Sequence, residues 1–430
     1  MKITDVKGVN VCVPLNLFGE YQPVSQWYGT RYAALKCIVF INTDAGITGL
    51  GECGTEGEHL LQGLKSRMID KDPYDVNAIL REINHQGRIL FGTGHLDTRM
   101  LNVSGGISMA LWDIIGKDCN KPIYKLIGGK YRERIELRAW LTDQTAEQQA
   151  EVAVKCVEAG WKSLKIKGGR NPEHDVNCVK TIREAVGDRI EIGVDCNGRY
   201  TAGMAIRTIK KMEKYDLSYM EEPTTSRNIN AFAKVRRHVD TMLLCCGHGC
   251  TTKELIREMI EKDAVDSVNL DLVRNGGFLE TQRCAAVAEA GGIVASTHSS
   301  PGELGIATAA QIYLQTATPN FTWCGDSGYM WVLPPSKDII TKPFEYDNGT
   351  LTVPEGSGLG IEIHKENFRE ARKRYETELE HWRHVIGRDP RVMATQHAYF
   401  YDYPEKYEWQ DSEWPFKIGS PPYTLLKEKK

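Results

Sequence analysis

Between residues 163 and 298 the chain contains six short apolar segments with polar ends: SLKIK (163–167), EIGVDCN (191–197), LSYMEEP (217–223), MLLCCGH (242–248), SVNLDLVRNGG (267–277) and IVASTH (293–298). Segments with helical periodicity separate them, such as AGMAIRTIKKMEKY (202–215) and FLETQRCAAVAEAG (278–291). Strands that alternate with helices of this length form right-handed parallel units, and six or more in succession favour a closed (β/α) barrel. Catalytic groups of such barrels lie where strands end, which is where these polar residues fall.

The barrel pattern extends beyond this stretch in both directions. We predict eight strands, at 135–142, 163–167, 190–197, 217–221, 241–247, 267–272, 293–298 and 321–325. Seven intact helices lie between them, which makes the fold class α/β, a modified (β/α)7β TIM-like barrel over residues 126–355. Thr145 is the predicted N-cap of the first of these helices, with Glu147 close behind, and the helix is expected to run to Gly160.

Residues 1–125 have a different pattern and form a predicted α+β domain. Residues 2–15 and 32–54 alternate like antiparallel strands and turn at Asp44-Ala-Gly, and helical patterns follow at 60–67, 75–84 and 105–119. The loops Phe18–Arg31 and Gly51–Gly57 are either lids and specificity elements or ordinary surface turns.

Residues 356–430 are predicted to form a C-terminal segment. After strand and turn patterns at 344–363, a charged helix begins at Lys365 and leads into an aromatic, proline-containing tail. We expect this segment to pack back on the N-terminal domain or to form an oligomer interface, although the tail is also compatible with capping the site or lying on the surface. A homo-oligomer is expected.

Composition and charge favour a cytoplasmic protein that acts on small molecules. The formal net charge is −3, from 54 basic and 57 acidic residues that are scattered, which argues against nucleic acid or an anionic membrane as a partner. The twelve cysteines lack the spacing of a disulfide framework, so reduced thiols are expected. The first residues lack the apolar core of a signal peptide, and we find no stretch with the ~18 apolar residues of a membrane helix.

Two acidic residues end neighbouring predicted strands. The carboxylates of Asp195 and Glu221 should therefore converge at the barrel mouth, where they repel each other unless a cation neutralises them. Hard oxygen ligands suit Mg²⁺, so a divalent metal site is predicted. The alternative is a pair of surface or salt-bridged acids.

Two lysines lie two residues apart on one predicted strand. The side chains of Lys165 and Lys167 should leave the same face, towards the barrel interior. Adjacent ammonium groups each favour the neutral form of the other, and a neutral lysine can act as a base. Lys167 is the candidate base, unless the pair is simply exposed on an edge strand.

A histidine and an aspartate follow neighbouring strands on the other side of the predicted barrel. Asp271 can accept from one imidazole nitrogen of His298, which fixes the tautomer and raises the basicity of the other nitrogen. The pair would form a second acid/base group opposite Lys167, and a satisfied core histidine is the alternative.

The order of these motifs resembles the enolase superfamily, in its mandelate racemase subgroup, over most of the chain. The matching motifs are KIK (165–167), VDCN (194–197), YMEEP (219–223), DLVRNGG (271–277), STH (296–298) and LTVPEGSGLGIEI (351–363). The resemblance implies an α+β capping domain in front of the barrel. It also implies that Mg²⁺, Mn²⁺ or another divalent metal chelates a substrate carboxylate, and that a base removes the adjacent α-proton to give an enediolate.

The resemblance assigns roles to individual residues. Lys167 corresponds to the family's lysine base and Asp271–His298 to its dyad. Asp195 and Glu221 correspond to the first two metal ligands, and Lys165 and Asn197 to groups that flank the bound carboxylate and metal.

Two positions depart from the pattern of the subgroup. His248 stands where the third metal ligand is usually glutamate, so either a transition metal binds or His248 does not ligate. The acid expected to hydrogen-bond the enediolate at the end of strand eight is not glutamate, and Asp326 is the nearest candidate. A zinc site of His248 with Cys245, Cys246 and Cys250 is an alternative that fits no standard spacing.

By the same resemblance we expect a lyase that dehydrates an aldonate or aldarate in sugar-acid catabolism. Tyr28, Arg31 and Arg199 could bind substrate hydroxyls or a second carboxylate, or could be structural. One rival is a racemase, epimerase or cycloisomerase that uses the same groups. The other is a non-catalytic sugar-acid binding or sensing protein, which would have no need of two opposed proton-transfer groups.

Overall fold

The N-terminal part of the chain forms a three-stranded antiparallel sheet with helices against it. The computed structural model describes residues 1–15, 24–26, 29–31, 33–90, 98–247, 249–300, 302–332 and 335–386. Its first strands are β1 (Ile3–Pro14), the short hairpin β2 (Val24–Gln26) and β3 (Gly29–Arg31), β4 (Ala33–Thr43) and β5 (Thr48–Cys53). The sheet order is β1–β4–β5, and the predicted turn after Thr43 joins β4 to β5.

The helices of this domain are α1 (Gly57–Leu64), α2 (Val76–Leu90), α3 (Thr98–Asp118) and α4 (Ile123–Leu126). Helix α3 lies very close to β5 because the strand carries glycine at the crossing. A Cβ atom on Gly51 would stand 2.0 Å from the carbonyl oxygen of Gly106. The predicted loop Gly51–Gly57 is shorter in the structure, since its first three residues belong to β5 and its last begins α1.

Eight parallel strands follow within the described residues, as the sequence predicts. They are β6 (Arg134–Leu141), β7 (Ser163–Lys167), β8 (Glu191–Asp195), β9 (Tyr219–Glu221), β10 (Met242–Cys246), β11 (Ser267–Leu270), β12 (Val294–Thr297) and β13 (Gly325–Asp326). They are neighbours in chain order, and β13 pairs with β6 while Phe321 bridges to Ala295. The (β/α)7β barrel class is confirmed. The last strand is only two residues long and lies later in the chain than predicted.

Seven helices connect these strands: α5 (Ala146–Glu158), α6 (Pro172–Val186), α7 (Ala202–Met212), α8 (Ile229–Arg236), α9 (Lys253–Glu261), α10 (Phe278–Ala290) and α11 (Gly305–Ala317). Thr145 is the N-cap of α5, as predicted, and it forms a reciprocal capping box. The partner in that box is Gln148 rather than Glu147, because the third residue after the cap is the one whose side chain reaches back.

The last described elements are β14 (Thr350–Thr352), antiparallel to β6, and α12 (Lys365–Ile386). Helix α12 lies against the N-terminal sheet: Phe368 packs edge-on against Phe40 with centroids 5.7 Å apart, and Asn10 donates to the hydroxyl of Tyr375 at 3.0 Å. The tail from residue 387 lies outside the described residues. The three-part division of the chain at residues 125 and 355 stays a prediction.

Two predictions from the composition concern the cysteines and membrane-spanning segments. All twelve cysteines are free thiols, and most are buried. Among the helices of the described residues, none combines the length and the apolar character needed to cross a membrane.

Candidate active site

The two predicted metal-binding acids are the last residues of adjacent strands. Asp195 ends β8 and Glu221 ends β9, and the two residues are direct neighbours in the strand register. Both side chains are fully buried at the carboxyl end of the barrel. Each carboxylate binds one lysine of β7: Lys167 donates to Asp195, and the Nζ of Lys165 lies 3.2 Å from Oε2 of Glu221.

The two carboxyl groups differ in proton affinity. Burial would raise the pKa of Asp195, but the charges of Lys167 and Lys165 hold that pKa below its usual value. Burial and the neighbouring Asp195 charge raise the pKa of Glu221 to about 7. The raised pKa of Glu221 means that a second negative charge beside Asp195 is unfavourable in this buried place, and a bound cation would relieve that repulsion as a proton does.

Lys165 lies at the centre of a charged network inside the barrel. Its Nζ also donates to Oδ2 of Asp326 at 2.5 Å. Burial would lower the pKa of Lys165, but the charges of Asp326 and Glu221 raise it well above the ordinary lysine value. For Lys165 this is opposite to the expected direction, because carboxylates from the facing strands outweigh the effect of the neighbouring lysine. Lys165 is a fixed cation.

Asp326 lies between two buried cations. The Nε of Arg138 is 3.7 Å from its Oδ1, and Lys165 binds its Oδ2. Burial would raise the pKa of Asp326, but Lys165 and Arg138 lower it to about 2. An ionised carboxylate accepts hydrogen bonds and cannot donate one. In this arrangement the Asp326 carboxylate accepts a hydrogen bond from Lys165, and its role as the acid that hydrogen-bonds the enediolate stays a prediction.

The predicted histidine–aspartate pair is present on the other side of the barrel. His298 follows β12 and Asp271 follows β11, and Nδ1 of the imidazole lies 2.8 Å from Oδ2 of the carboxylate. Both side chains are buried. Because the carboxylate can only accept, Nδ1 carries the proton and Nε2 is left to accept one. Burial and the nearby Arg274 charge lower the pKa of His298, which favours this neutral form.

The remaining predicted site residues divide into three groups. Asn197 joins the acids, because its side-chain amide donates to Oδ2 of Asp195 at 3.1 Å. Arg199 is exposed and pairs through its backbone with Thr224. Tyr28 and His248 lie outside the described residues, and Arg31 belongs to β3 without a described side chain.

The structure adds residues that the sequence reasoning missed. Glu222 is buried with its Oε1 unpartnered among the described residues, and burial together with Asp195 raises its pKa to about 8. Trp140 of β6 lies beside the lysines, with Nζ of Lys167 4.2 Å from its ring centroid. The second glutamate of the YMEEP motif was a visible signal for Glu222. Arg274 belongs to the DLVRNGG motif, three residues after Asp271, but the motif alone assigned it no role. No sequence signal indicated Trp140 or Arg138, because their roles depend on contacts between strands.

The donor atoms at the mouth suit a hard divalent cation. Asp195 and Glu221 provide carboxylate oxygens, and the side-chain oxygens Oδ1 of Asn197 and Oε1 of Glu222 have no partner among the described residues. Within the described part of the chain, which leaves out His248, no three His, Cys, Asp or Glu side chains have the spacing of a metal site. The oxygen atoms of these four residues are the type of ligand that a hard divalent cation binds.

Comparison with known proteins places most of the chain in one group of enzymes. Residues 13–128 match the family model described as mandelate racemase / muconate lactonizing enzyme, N-terminal domain, and residues 148–367 match the one described as enolase C-terminal domain-like. The D-xylonate dehydratase of Haloferax volcanii is 30% identical over 351 residues, 76% of this chain and 82% of that protein. The N-succinyl-L-Arg/Lys racemase of Bacillus cereus is 28% identical over 383 residues, 86% of this chain and 98% of that protein.

Solved structures of racemases and epimerases are also similar to this chain over most of its length. The structure of N-succinyl Arg/Lys racemase from Bacillus cereus has a TM-score of 0.77 at 27% identity, covering 86% of this chain and 98% of that chain. A dipeptide epimerase from Enterococcus faecalis, solved with Mg and a dipeptide, has a TM-score of 0.75 at 25% identity, covering 85% of this chain and 100% of that chain.

Proposed function

Because the chain belongs to the mandelate racemase / muconate lactonizing enzyme family of the enolase superfamily, we propose that it dehydrates a sugar acid to a 2-keto-3-deoxy acid. The observation that carries the proposal is the placement of two proton-transfer groups on opposite sides of one carboxylate pair. Lys167 lies on β7 and His298 follows β12, with Asp195 and Glu221 on the strands between them. A non-catalytic binding protein would gain nothing from this arrangement.

The reaction begins with removal of the proton on C2 of the substrate. Lys167 or His298 takes it, according to the face that the substrate presents. The C2 electron pair then forms a double bond to C3 as the 3-hydroxyl leaves, and the departing oxygen takes a proton to become water. His298 is the acid for this step: Nε2 donates the proton that it has taken from C2 or, when Lys167 is the base, a proton that the imidazolium already carries. The resulting enol accepts a proton at C3, releases the proton of its 2-hydroxyl and becomes the 2-keto acid.

Two further side chains and a metal would bind the carboxylate of the substrate. Lys165, fixed as a cation by Asp326, and the side-chain amide of Asn197 flank the place where that carboxylate would bind. A divalent metal bound by Asp195 and Glu221 would polarise the substrate carboxylate and lower the free energy of the enediolate. We assign His248 as a third ligand or a neighbour within a water's reach, with a preference for Mn²⁺ or another transition metal at least equal to that for Mg²⁺.

Racemisation is the second candidate, because the racemase from Bacillus cereus is nearly as similar as the dehydratase. In that reaction the enediolate takes a proton on its other face and keeps its hydroxyl. The two outcomes differ only in the fate of the β-hydroxyl, so the product distinguishes them.

A screen of mono- and diacid sugars with Mg²⁺, Mn²⁺ and Zn²⁺ in parallel tests the proposal. We expect at least one sugar acid to give a semicarbazide-reactive 2-keto-3-deoxy product. A change of optical rotation without any keto acid would support racemisation instead.

The proton-transfer roles are tested with Lys167→Ala and His298→Asn on the substrate found. Each should reduce turnover by at least a hundredfold, because general acid–base groups contribute about 10²–10⁴-fold. Solvent deuterium should enter the substrate α-position stereospecifically in the unmodified enzyme. Lys180→Ala and His238→Asn alter an exposed lysine and an exposed histidine and should change neither measurement. Near-normal turnover in either active-site variant would refute that residue's role.

A further inference from the structure

A buried arginine that the proposed chemistry does not use lies against the histidine–aspartate pair. Arg274 is three residues after Asp271 in the loop that follows β11, and its Nε lies 3.3 Å from Oδ2 of Asp271. Its side chain is only 10% exposed. Oδ2 of Asp271 therefore faces two groups at once, the imidazole of His298 and the guanidinium.

The other end of the guanidinium reaches two neighbouring loops. Nη2 donates to the hydroxyl of Ser300 at 3.2 Å, and Ser300 is itself held by Glu303, which accepts from its backbone N–H at 2.7 Å. Nη1 lies beside the end of β10, where a Cβ atom on Gly247 would stand 2.8 Å from it. Arg274 thus contacts the loops that follow β10, β11 and β12, and its guanidinium packs against Gly247 of the first.

Hydrogen bonds from the backbone of its own loop hold the Asp271 carboxylate in one orientation. Oδ1 accepts from the backbone N–H groups of Val273 and Arg274 at 2.9 and 3.1 Å. The N–H of Asp271 donates to the side chain of Asn275 at 2.8 Å, which ties the loop together. With Oδ1 committed to the turn, the position of Oδ2 depends on His298 and Arg274.

We propose that Arg274 is a positioning residue for the Asp271–His298 pair: its guanidinium holds the Asp271 carboxylate against the imidazole and offsets its charge. Without that positive charge the pair would carry one uncompensated negative charge in a buried site, and the imidazole would be drawn towards its protonated form. With it, the imidazole stays neutral, with its proton on Nδ1 and Nε2 ready to accept another. The consequence for catalysis rests on the proposed function, whereas the consequence for the imidazole does not.

The charged groups that face His298 support the direction of this effect. They are Arg274, Asp271 and Asp326, and of these only the arginine lowers the pKa of His298, after burial as the largest cause. Glu303 lies close to Asp271, and burial together with the Asp271 charge raises its pKa to about 8. Because Glu303 titrates near neutral pH, an activity profile alone would mix the two groups. The test therefore observes the histidine ring directly.

The experiment is an NMR titration of ¹⁵N-labelled histidine in the full-length protein and in Arg274→Gln, Arg274→Lys and Arg283→Gln, with the His298 signal assigned from His298→Asn. Arg283 is the matched control, because it pairs with Glu280 at the same i,i+3 spacing, at 2.9 Å, but is exposed. Arg274→Gln should raise the pKa of His298 by about one unit or more, since a charge within a few ångströms shifts a pKa by about 1–3 units. Arg274→Lys should restore most of that shift, and Arg283→Gln should cause none.

A second readout tests the catalytic consequence. If His298 acts as a base, the acidic limb of the kcat/KM profile should move to higher pH in Arg274→Gln by the same amount as its pKa. A folded Arg274→Gln whose His298 keeps its pKa and its Nδ1 proton overturns the inference. If Arg274→Gln does not fold, Arg274→Met replaces it, because it also removes the charge while keeping a long side chain, and an unchanged His298 pKa in that folded variant would overturn the inference as well. A shifted His298 pKa in a protein that processes no sugar acid would leave this inference standing while the proposed function fails.

Discussion

The ionisation of one residue, Asp326, depends on where the fold places its carboxylate. Its sequence neighbours, Gly325 and Ser327, carry no charge, yet its carboxylate lies between Lys165 and Arg138. Asn269 of β11 adds a hydrogen bond to Oδ2 at 3.1 Å. These partners come from strands β6, β7 and β11, so the charge of Asp326 is a property of the closed barrel. Its carboxylate is the shared partner of two buried cations.

Asp326→Asn keeps the shape of the side chain and removes its charge. We expect the free energy of unfolding to fall by about 3–5 kcal/mol at pH 7, because removing one partner of a buried ion pair leaves the other charge uncompensated. The folded pKa of about 2 lies below the ordinary 3.8, so this contribution is fully present above about pH 4 and disappears as the pH falls through 2. Urea denaturation at pH 7 measures it.

The control is Asp347→Asn, which breaks the exposed ion pair with Arg134 and should cost at most about 1 kcal/mol. If Asp326→Asn has normal stability but no turnover, Asp326 acts on the substrate as the sequence predicted, and the charge-balancing role assigned here is wrong.

At the scale of one element, helix α11 obtains its N-terminal cap from the other domain. Glu52 of β5 accepts from the backbone N–H of Leu304 at 2.9 Å and from that of Ala307 at 3.0 Å. Lys36 of β4 lies 3.8 Å from the same carboxylate. The first four N–H groups of a helix have no partner within the helix and need a side chain or water, and a negative charge there is favoured by the helix dipole. The N-terminal sheet is thereby attached to the helix that follows His298.

Glu52→Gln removes the charge while keeping the length of the side chain. We expect the free energy of unfolding to fall by about 1.5–3 kcal/mol, because hydrogen bonds that involve a charged group contribute about that much. Glu184→Gln serves as the control, since Glu184 makes only an exposed pair with Lys180 on α6. Urea denaturation compares the two. Equal stability of both variants would mean that the cap contributes nothing.

For the molecule as a whole, a cation bound at the barrel mouth should stabilise the complete folded chain against unfolding. Asp195 and Glu221 belong to strands in the middle of the barrel sheet, so they come together only when that sheet is formed. A ligand that binds the folded chain alone adds about 2.7 kcal/mol at a concentration one hundred times its Kd. The thermal midpoint therefore reports binding without requiring a substrate.

We expect Mn²⁺ and Mg²⁺ to raise Tm, with Mn²⁺ effective at the same or lower concentration. Asp195→Asn should abolish the effect, because it removes one of two carboxylate ligands. His248→Glu should lower the Mg²⁺ concentration needed, since a third carboxylate suits this ion better than imidazole. Asp240→Asn changes an acid away from the mouth and should leave the metal response unchanged. If His248→Glu does not alter it either, His248 is not part of the site.

The alternation of strands and helices, and the positions where the strands end, can be predicted from local sequence patterns. These positions are enough to predict that Asp195 meets Glu221 and that Asp271 meets His298, because neighbouring parallel strands in register bring their terminal residues together. These inferences need only local periodicity and one rule about strand order.

The directions in which the buried pKa values shift follow from contacts that form only in the folded barrel. Closing the barrel brings Asp326 of the last strand to Lys165 of the second, and docking of the two domains brings Glu52 to α11. Lys165 was expected to be less basic beside Lys167, and it is more basic, because Coulomb interactions depend on distances across the barrel and on burial. The sequence does not specify those distances until the strands have closed around one another, and for that reason the roles of Arg138 and Glu52 are visible only in the structure.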